Sequence, residues 1–222
     1  MLQFFSKYKF FAVFLLVLSA IIISIFYQIL KPTPKLKVYS PSDVNPELVD
    51  TTLQHIKKQH YIAPFKLIDQ NGDTVTQETY SNKIYVADFF FTTCLTICPK
   101  MTGNMKYLQE QLMTEKDVLL LSHTVTPEID SVAQLKKYAI EKGVDDSKWH
   151  LVTGDKKEIY TLARKSYLAV KDYPEIEDYG MIHTENFILV DQKKQIRGMY
   201  DGTNLEEIEQ LLEDIKILQQ EK

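Results

Sequence analysis

Only two cysteines, Cys94 and Cys98, occur in 222 residues. That scarcity excludes a scaffold built on disulfides, so the core has to be held by apolar packing. Two cysteines four positions apart read instead as one chemical site. The chain also lacks any surplus of positive charge where a polyanion could bind. Lys7, Lys9, Lys31, Lys35 and Lys37 are the only charged residues before Asp43, so from Val38 onward 21 basic residues face 30 acidic ones, a net charge of −9. Such a domain repels phosphate, and no basic face interleaved with aromatics offsets this, which excludes nucleic-acid binding. Internal repeats and low-complexity tracts are absent too. With 45% hydrophobic and 25% charged residues, the composition is that of a globular protein with one well-buried domain and a small accessory segment.

Charge is missing altogether from Phe10 to Leu30, which reads FFAVFLLVLSAIIISIFYQIL. A helix of that length spans the roughly 30 Å hydrocarbon core of a bilayer. Lysines flank it on both sides, and Phe10, Phe11 and Tyr27 lie near its ends as interfacial aromatics do. A cleaved signal has an apolar region of only about 7–15 residues and a small-residue cleavage site; this run is longer and no such site follows. No cysteine near residue 30 offers a lipid anchor. The expectation is an uncleaved, single-pass anchor in the cytoplasmic membrane. Flanking charges are nearly balanced, but a short positive amino terminus before the first apolar segment favours that end inside, with the domain facing a periplasm.

Composition and pattern divide the chain into four segments. Residues 1–9 are a short tail, 10–30 the anchor and 31–60 a linker and lead-in, where Pro32, Pro34, Pro41 and Pro46 block regular helix. The folded domain is expected over 61–222. Pro64–Ile68 and Thr74–Thr76 flank Asn71-Gly72, a strong hairpin signal. Lys83–Phe91 is almost continuously apolar, as a strand buried on both faces would be. Helical spacing follows through Met101, Met105, Leu108 and Leu112, then a second buried strand at Val118–Ser122. Thr126 and Pro127 read as the N-cap and first turn of a helix carrying Val132, Leu135 and Ala139, ended by Gly143. His150–Val152 is a short strand, and Asp155 with Glu158 opens another helix. A second hairpin, Phe187–Val190 with Gln195–Tyr200, precedes a final helix capped by Asn204 with Glu207. Strands alternating with helices imply an α/β fold, a mixed central sheet with helices on both faces.

Cys94-Leu95-Thr96-Ile97-Cys98-Pro99 lies where the first buried strand gives way to a helix. Proline suits the first helical position and disfavours helical geometry in the residue before it, which places Cys98 at the N-cap. The positive end of a helix stabilises thiolate, which is both the nucleophile of disulfide chemistry and a ligand for soft metals. The alternatives, a structural disulfide or two inert thiols, gain little from so short a loop. His183, in the loop before the Phe187 strand, is by itself an unremarkable loop histidine. His55 and His60 read as solvent-facing, His123 and His150 as structural.

Asp88-Phe89-Phe90-Phe91-Thr92-Thr93-Cys94-Leu95-Thr96-Ile97-Cys98-Pro99 resembles the signature of the SCO/SenC copper-chaperone family, a hydrophobic strand leading into C-x-x-x-C-P. The resemblance continues through Thr126-Pro127-Glu128, the Trp149–Gly154 stretch, and His183-Thr184-x-x-Phe187-Ile188-Leu189-Val190-Asp191. It implies a thioredoxin-like fold in which Cys94, Cys98 and His183 ligate copper. Two thiolates and an imidazole suit Cu(I), and the imidazole suits Cu(II) as well, whereas a closed zinc site would lack its fourth ligand. Thioredoxin-family oxidoreductases place a proline before the strand facing their cysteines; here Ile182–Asn186 contains none. Two departures stand out: Leu95-Thr96-Ile97 lacks an acidic residue between the cysteines, and Ile182 replaces an aspartate before the histidine. Asp178 or Glu185 could supply the acceptor that a metal-bound histidine leans on.

The resemblance implies a metallochaperone that delivers copper to the copper-bearing subunit of a respiratory cytochrome oxidase; the copper donor is left open. A thiol–disulfide oxidoreductase reducing a copper-receiving partner is the alternative, with Cys94 and Cys98 as the redox pair and no need of His183. The fold also permits peroxide reduction, without a peroxidase-type motif around Cys94, and a copper-dependent redox sensor would have the same sequence.

Overall fold

A computed structural model describes residues 2–30, 34–46, 49, 52–57, 60–169 and 184–221. The chain divides into two compact units, Met1–Pro34 and Lys35–Lys222. The first contains helix α1, Leu2–Leu30, long and apolar enough over Tyr8–Tyr27 to cross a membrane.

The second unit is built on one sheet of seven strands: β1 (Lys66–Asp69), β2 (Thr74–Thr76), β3 (Ile84–Phe90), β4 (Val118–Thr124), β5 (Trp149–Thr153), β6 (Asn186–Val190) and β7 (Ile196–Asp201). Their order is β2-β1-β5-β4-β3-β6-β7. The three central strands β5, β4 and β3 are parallel, and the two hairpins flank them antiparallel. Helices α2 (Cys98–Gln111), α3 (Val132–Lys142), α4 (Lys156–Thr161) and α5 (Leu205–Gln220) complete the unit. This is the mixed α/β architecture expected from the alternation of elements.

Every residue of β3 and of β4 is buried, and successive side chains enter opposite cores. Ile84, Val86 and Phe90 join Met101, Met105, Leu108, Leu135, Leu211 and Ile215 on the face covered by α2, α3 and α5. Tyr85, Ala87 and Phe89 join Ile159, Tyr160, Leu162 and Tyr167 on the other. Each such side chain, fully buried, contributes roughly 1.5–3 kcal/mol, so two-sided burial makes β3 a rigid platform for whatever follows its carboxyl end.

Three expectations need correction. Helix α3 begins not at Thr126 but at Val132, capped by Ser131, whose side chain accepts from the Gln134 N–H. Residues 126–130 instead form a turn in which the Asp130 N–H donates to the Thr126 carbonyl. After α4 the chain widens into a π-helical turn, Leu162–Ser166, which apolar spacing did not signal. His60 is buried, with Nε2 2.7 Å from the Ser166 carbonyl, because its partner lies 106 residues away in sequence. His55 is exposed, as expected.

Candidate metal centre

The rigid end of β3 delivers the chain into a loop that ends at the first residue of α2. Cys98 is that first residue, and Ile97, in helical conformation, is the N-cap. The expected N-cap role of Cys98 therefore shifts by one position; Pro99 follows inside the first turn, where its missing N–H costs nothing. The loop folds back so that the Cys94 N–H donates to the Phe91 carbonyl at 3.3 Å. The Cys98 N–H then donates to the Cys94 sulfur at 3.4 Å, and the Thr96 hydroxyl lies 3.6 Å from that sulfur. Both thiols are free and buried, Cys94 at 8% exposure and Cys98 at 3%.

The two sulfurs have different acidities. Burial pushes Cys94 up, but hydrogen bonds from the Cys98 thiol and N–H and from Thr96 more than offset it and bring its pKa down to about 7. Cys98 is pushed up to about 12, first by burial and then by its bond to Cys94. Cys94 is the thiolate of the pair near neutral pH, and Cys98 holds the proton. Such a pair can attack a disulfide or, once both protons are lost, hold a soft cation between two sulfurs.

A carboxylate unmarked by sequence reasoning fixes this loop. Asp130, fully buried, accepts from the Thr92 N–H at 3.1 Å and from the hydroxyls of Thr92, Thr124 and Thr126. Gln134 adds a bond to the Thr92 hydroxyl at 3.1 Å. The loops after β3 and β4 are thereby tied together just ahead of Cys94. Its signal in the sequence was threonines two residues apart before an aspartate, which resembles a helix start.

Asp88, in β3, is buried, and one of its carboxylate oxygens has no partner among the described residues. Burial, partly offset by the Ser122 hydroxyl, pushes its pKa up to about 7, and its charge adds to the pressure against ionising Cys98. On the other face His123 stacks on Phe89 at 4.8 Å and meets Tyr167 edge-on; burial holds it neutral, with its pKa down at about 4. His150 sits 2.7 Å from the Tyr80 hydroxyl. Both are structural histidines, as their places in strands suggested.

His183 and Asp178 lie outside the described residues. Glu185 is exposed, and its carbonyl accepts from the Gly202 N–H at 2.7 Å. Among the described residues no three His, Cys, Asp or Glu side chains converge; what the fold brings together is the thiol pair.

Comparison with known proteins gives this geometry a context. The SCO1/SenC family profile matches residues 53–220. The SCO1 protein homolog of Bacillus subtilis (strain 168) is 36% identical over 157 residues, spanning 70% of this chain and 81% of that protein. A solved structure of BsSco, a member of the Sco family of cytochrome c oxidase assembly proteins in which a disulfide switch was identified, is 35% identical with a TM-score of 0.62. It covers 72% of this chain and 93% of its own. Bradyrhizobium japonicum ScoI, solved with copper bound, is 25% identical with a TM-score of 0.53, covering 72% of this chain and 99% of its own. The shared fold is thioredoxin-like.

Proposed function

This chain belongs to the SCO1/SenC family, and on that premise we propose that it is a copper metallochaperone, with Cys94, Cys98 and His183 as the ligands. The observation that carries the reading is the thiol pair itself: two free cysteines at a helix N-terminus, the Cys98 backbone N–H donating to the Cys94 sulfur at 3.4 Å and the Cys94 pKa brought down to about 7. Soft thiolates select Cu(I), and an added imidazole accommodates Cu(II). Support comes from the relative solved with copper bound. Copper is the cargo here. Cys94 takes it first because it loses its proton first, and Cys98 joins when the arriving cation displaces the second proton.

The acceptor in this reading is the copper-bearing subunit of a respiratory cytochrome oxidase, in keeping with the assembly role of BsSco. Helix α1 would anchor the chain in the cytoplasmic membrane as a single span, with the domain in the periplasm. A second reading, thiol–disulfide exchange on the acceptor's cysteines, is favoured by the split acidities of the pair, one nucleophile beside one proton donor.

The two readings separate in one experiment. Copper-loaded chain is mixed anaerobically with a metal-free, fully reduced copper domain of the oxidase subunit, and copper on each partner is counted after separation. Transfer to the reduced acceptor supports the chaperone. Copper retained by the donor, with metal-free chain reducing an oxidised acceptor, would replace the chaperone by the reductase.

A further inference from the structure

Cys94 lines a cavity beside its loop. This cavity of about 240 Å³ lies between the cysteine loop and α3, and Thr92, Cys94, Leu95, Pro99, Lys137 and Tyr138 are among its lining residues. Cys98 is not among them. At its mouth Leu95 is 92% exposed, more than any other large apolar side chain among the described residues. A lone exposed leucine means little; one adjacent to a reactive thiol and lining the same cavity offers an apolar contact beside it. Small-molecule sites run to roughly 300–1,000 Å³, so this smaller space suits one or two side chains of a protein segment.

Charge identifies the segment. Lys142 is engaged, 2.8 Å from Glu141 and over the Tyr138 ring, and its place in the last turn of α3 serves the helix dipole. Lys137 is exposed on the same wall, one helical turn before Glu141, whose carboxylate it also helps to stabilise, so the groove lining carries two lysines against one glutamate. The Lys106 ammonium extends the cationic strip along the seam of α2 and α3, 3.3 Å from where a side chain on Gly143 would begin. The domain around this strip carries nine more acidic than basic groups. At physiological salt that distant charge is screened beyond about 8 Å, so local lysines decide what docks.

We propose that this groove is the docking surface for an extended, acidic segment of a partner protein that carries a sulfur ligand or cysteine to Cys94. The inference rests on the copper-transfer reading in taking the partner to be the acceptor. Leu95 is the apolar anchor of the segment, and Lys137 with Lys106 pairs its carboxylates.

The test uses the reduced, metal-free full chain in detergent at about 150 mM salt and two single-cysteine peptides. Both are activated as mixed disulfides with thionitrobenzoate; one has four glutamates around the cysteine, the other four lysines. Cys94 thiolate attacks the peptide sulfur, a protein–peptide disulfide forms, the peptide–aryl bond breaks, and the released aryl thiolate is read by absorbance. The acidic peptide should react at least about threefold faster than the basic one, the scale of exposed ion pairs. The double variant Lys137→Glu with Lys106→Glu should reverse that order, and Leu95→Ser should slow both peptides. Reaction with the small, neutral dipyridyl disulfide should be unchanged in every variant, which shows that the loop is intact. Equal rates for the two peptides, or an order unaffected by the lysine variant, would overturn the groove. Copper stoichiometry of the parent is measured alongside: a parent that holds copper with no peptide preference loses the groove alone, and one with the preference but no copper loses the chaperone alone.

Discussion

The backbone N–H of Cys98 donates to the sulfur of Cys94 at 3.4 Å. Position in the first turn thus makes Cys98 a hydrogen-bond donor to its neighbour's thiolate while its own thiol is buried in the α2 core. The metal-free chain should therefore be alkylated by iodoacetamide at Cys94 with a half-maximal rate near pH 7, from the lowered pKa there. Cys98 should stay nearly inert until strongly alkaline pH. Peptide mapping by mass spectrometry checks both; equal labelling of the two cysteines at pH 8 would contradict the asymmetry.

Asp130 should matter to Cys94 without touching it. Replacing it with alanine strands the buried hydroxyls of Thr124 and Thr126 together with the half-buried Thr92 hydroxyl and N–H, each buried unsatisfied group costing about 1–3 kcal/mol before relaxation. Asp130→Ala should lose at least about 2 kcal/mol in urea unfolding and shift the pH midpoint of Cys94 alkylation. Asp130→Asn, which keeps two acceptor lone pairs, should lose less. A variant with unchanged stability and midpoint would remove Asp130 from the loop's support.

The Asp88 carboxyl titrates near 3.8 when exposed and is raised to about 7 in the fold. The fold thus favours its neutral form: that contribution is complete below pH 3.8 and is lost as pH rises through 7. Asp88→Asn cannot ionise, so it should gain on the parent as pH rises, by at most about 4 kcal/mol between pH 4 and pH 8. His123, neutral in the fold and charged when unfolded below about pH 6.5, destabilises both proteins equally toward acid and cancels in the comparison. Urea midpoints at the two pH values decide; a difference independent of pH would refute the buried acid.

Arg197 joins the start of the domain to its end. Its guanidinium pairs with Asp191 at 2.9 Å and with Glu221, and donates to the carbonyls of Leu36 and Lys37. Truncation leaves Asp191 buried and uncompensated, so Arg197→Ala should cost about 3 kcal/mol, with early exchange of the Leu36 N–H, which donates to Glu221 at 2.7 Å. Hydrogen exchange that stays unchanged at Leu36 would contradict the link.

The sheet was legible where the signal was local. Asn71-Gly72 marks its hairpin, with Gly72 at φ 86°, and the apolar run over β3 marks its buried centre. Local signals misled where distant groups compete for them. Thr126 looks like a cap, but Asp130 draws its hydroxyl into the tie to Thr92, and Ser131 caps α3 instead. His60 finds its partner only once Ser166 is folded beside it. At the site, Cys94 and Cys98 announced themselves by spacing, whereas His183 entered through family resemblance alone, since a loop histidine carries no periodic or spacing signal of its own.

Copper titration of the reduced full chain in detergent under anaerobic conditions, beside Cys94→Ser, Cys98→Ser and His183→Ala, tests the central claim most directly. One copper held per parent chain, with binding weakened by at least about tenfold in each variant, as loss of a ligand requires, is the expected result. A parent that holds no copper, or a His183→Ala variant that binds as tightly as the parent, would contradict the three-ligand site.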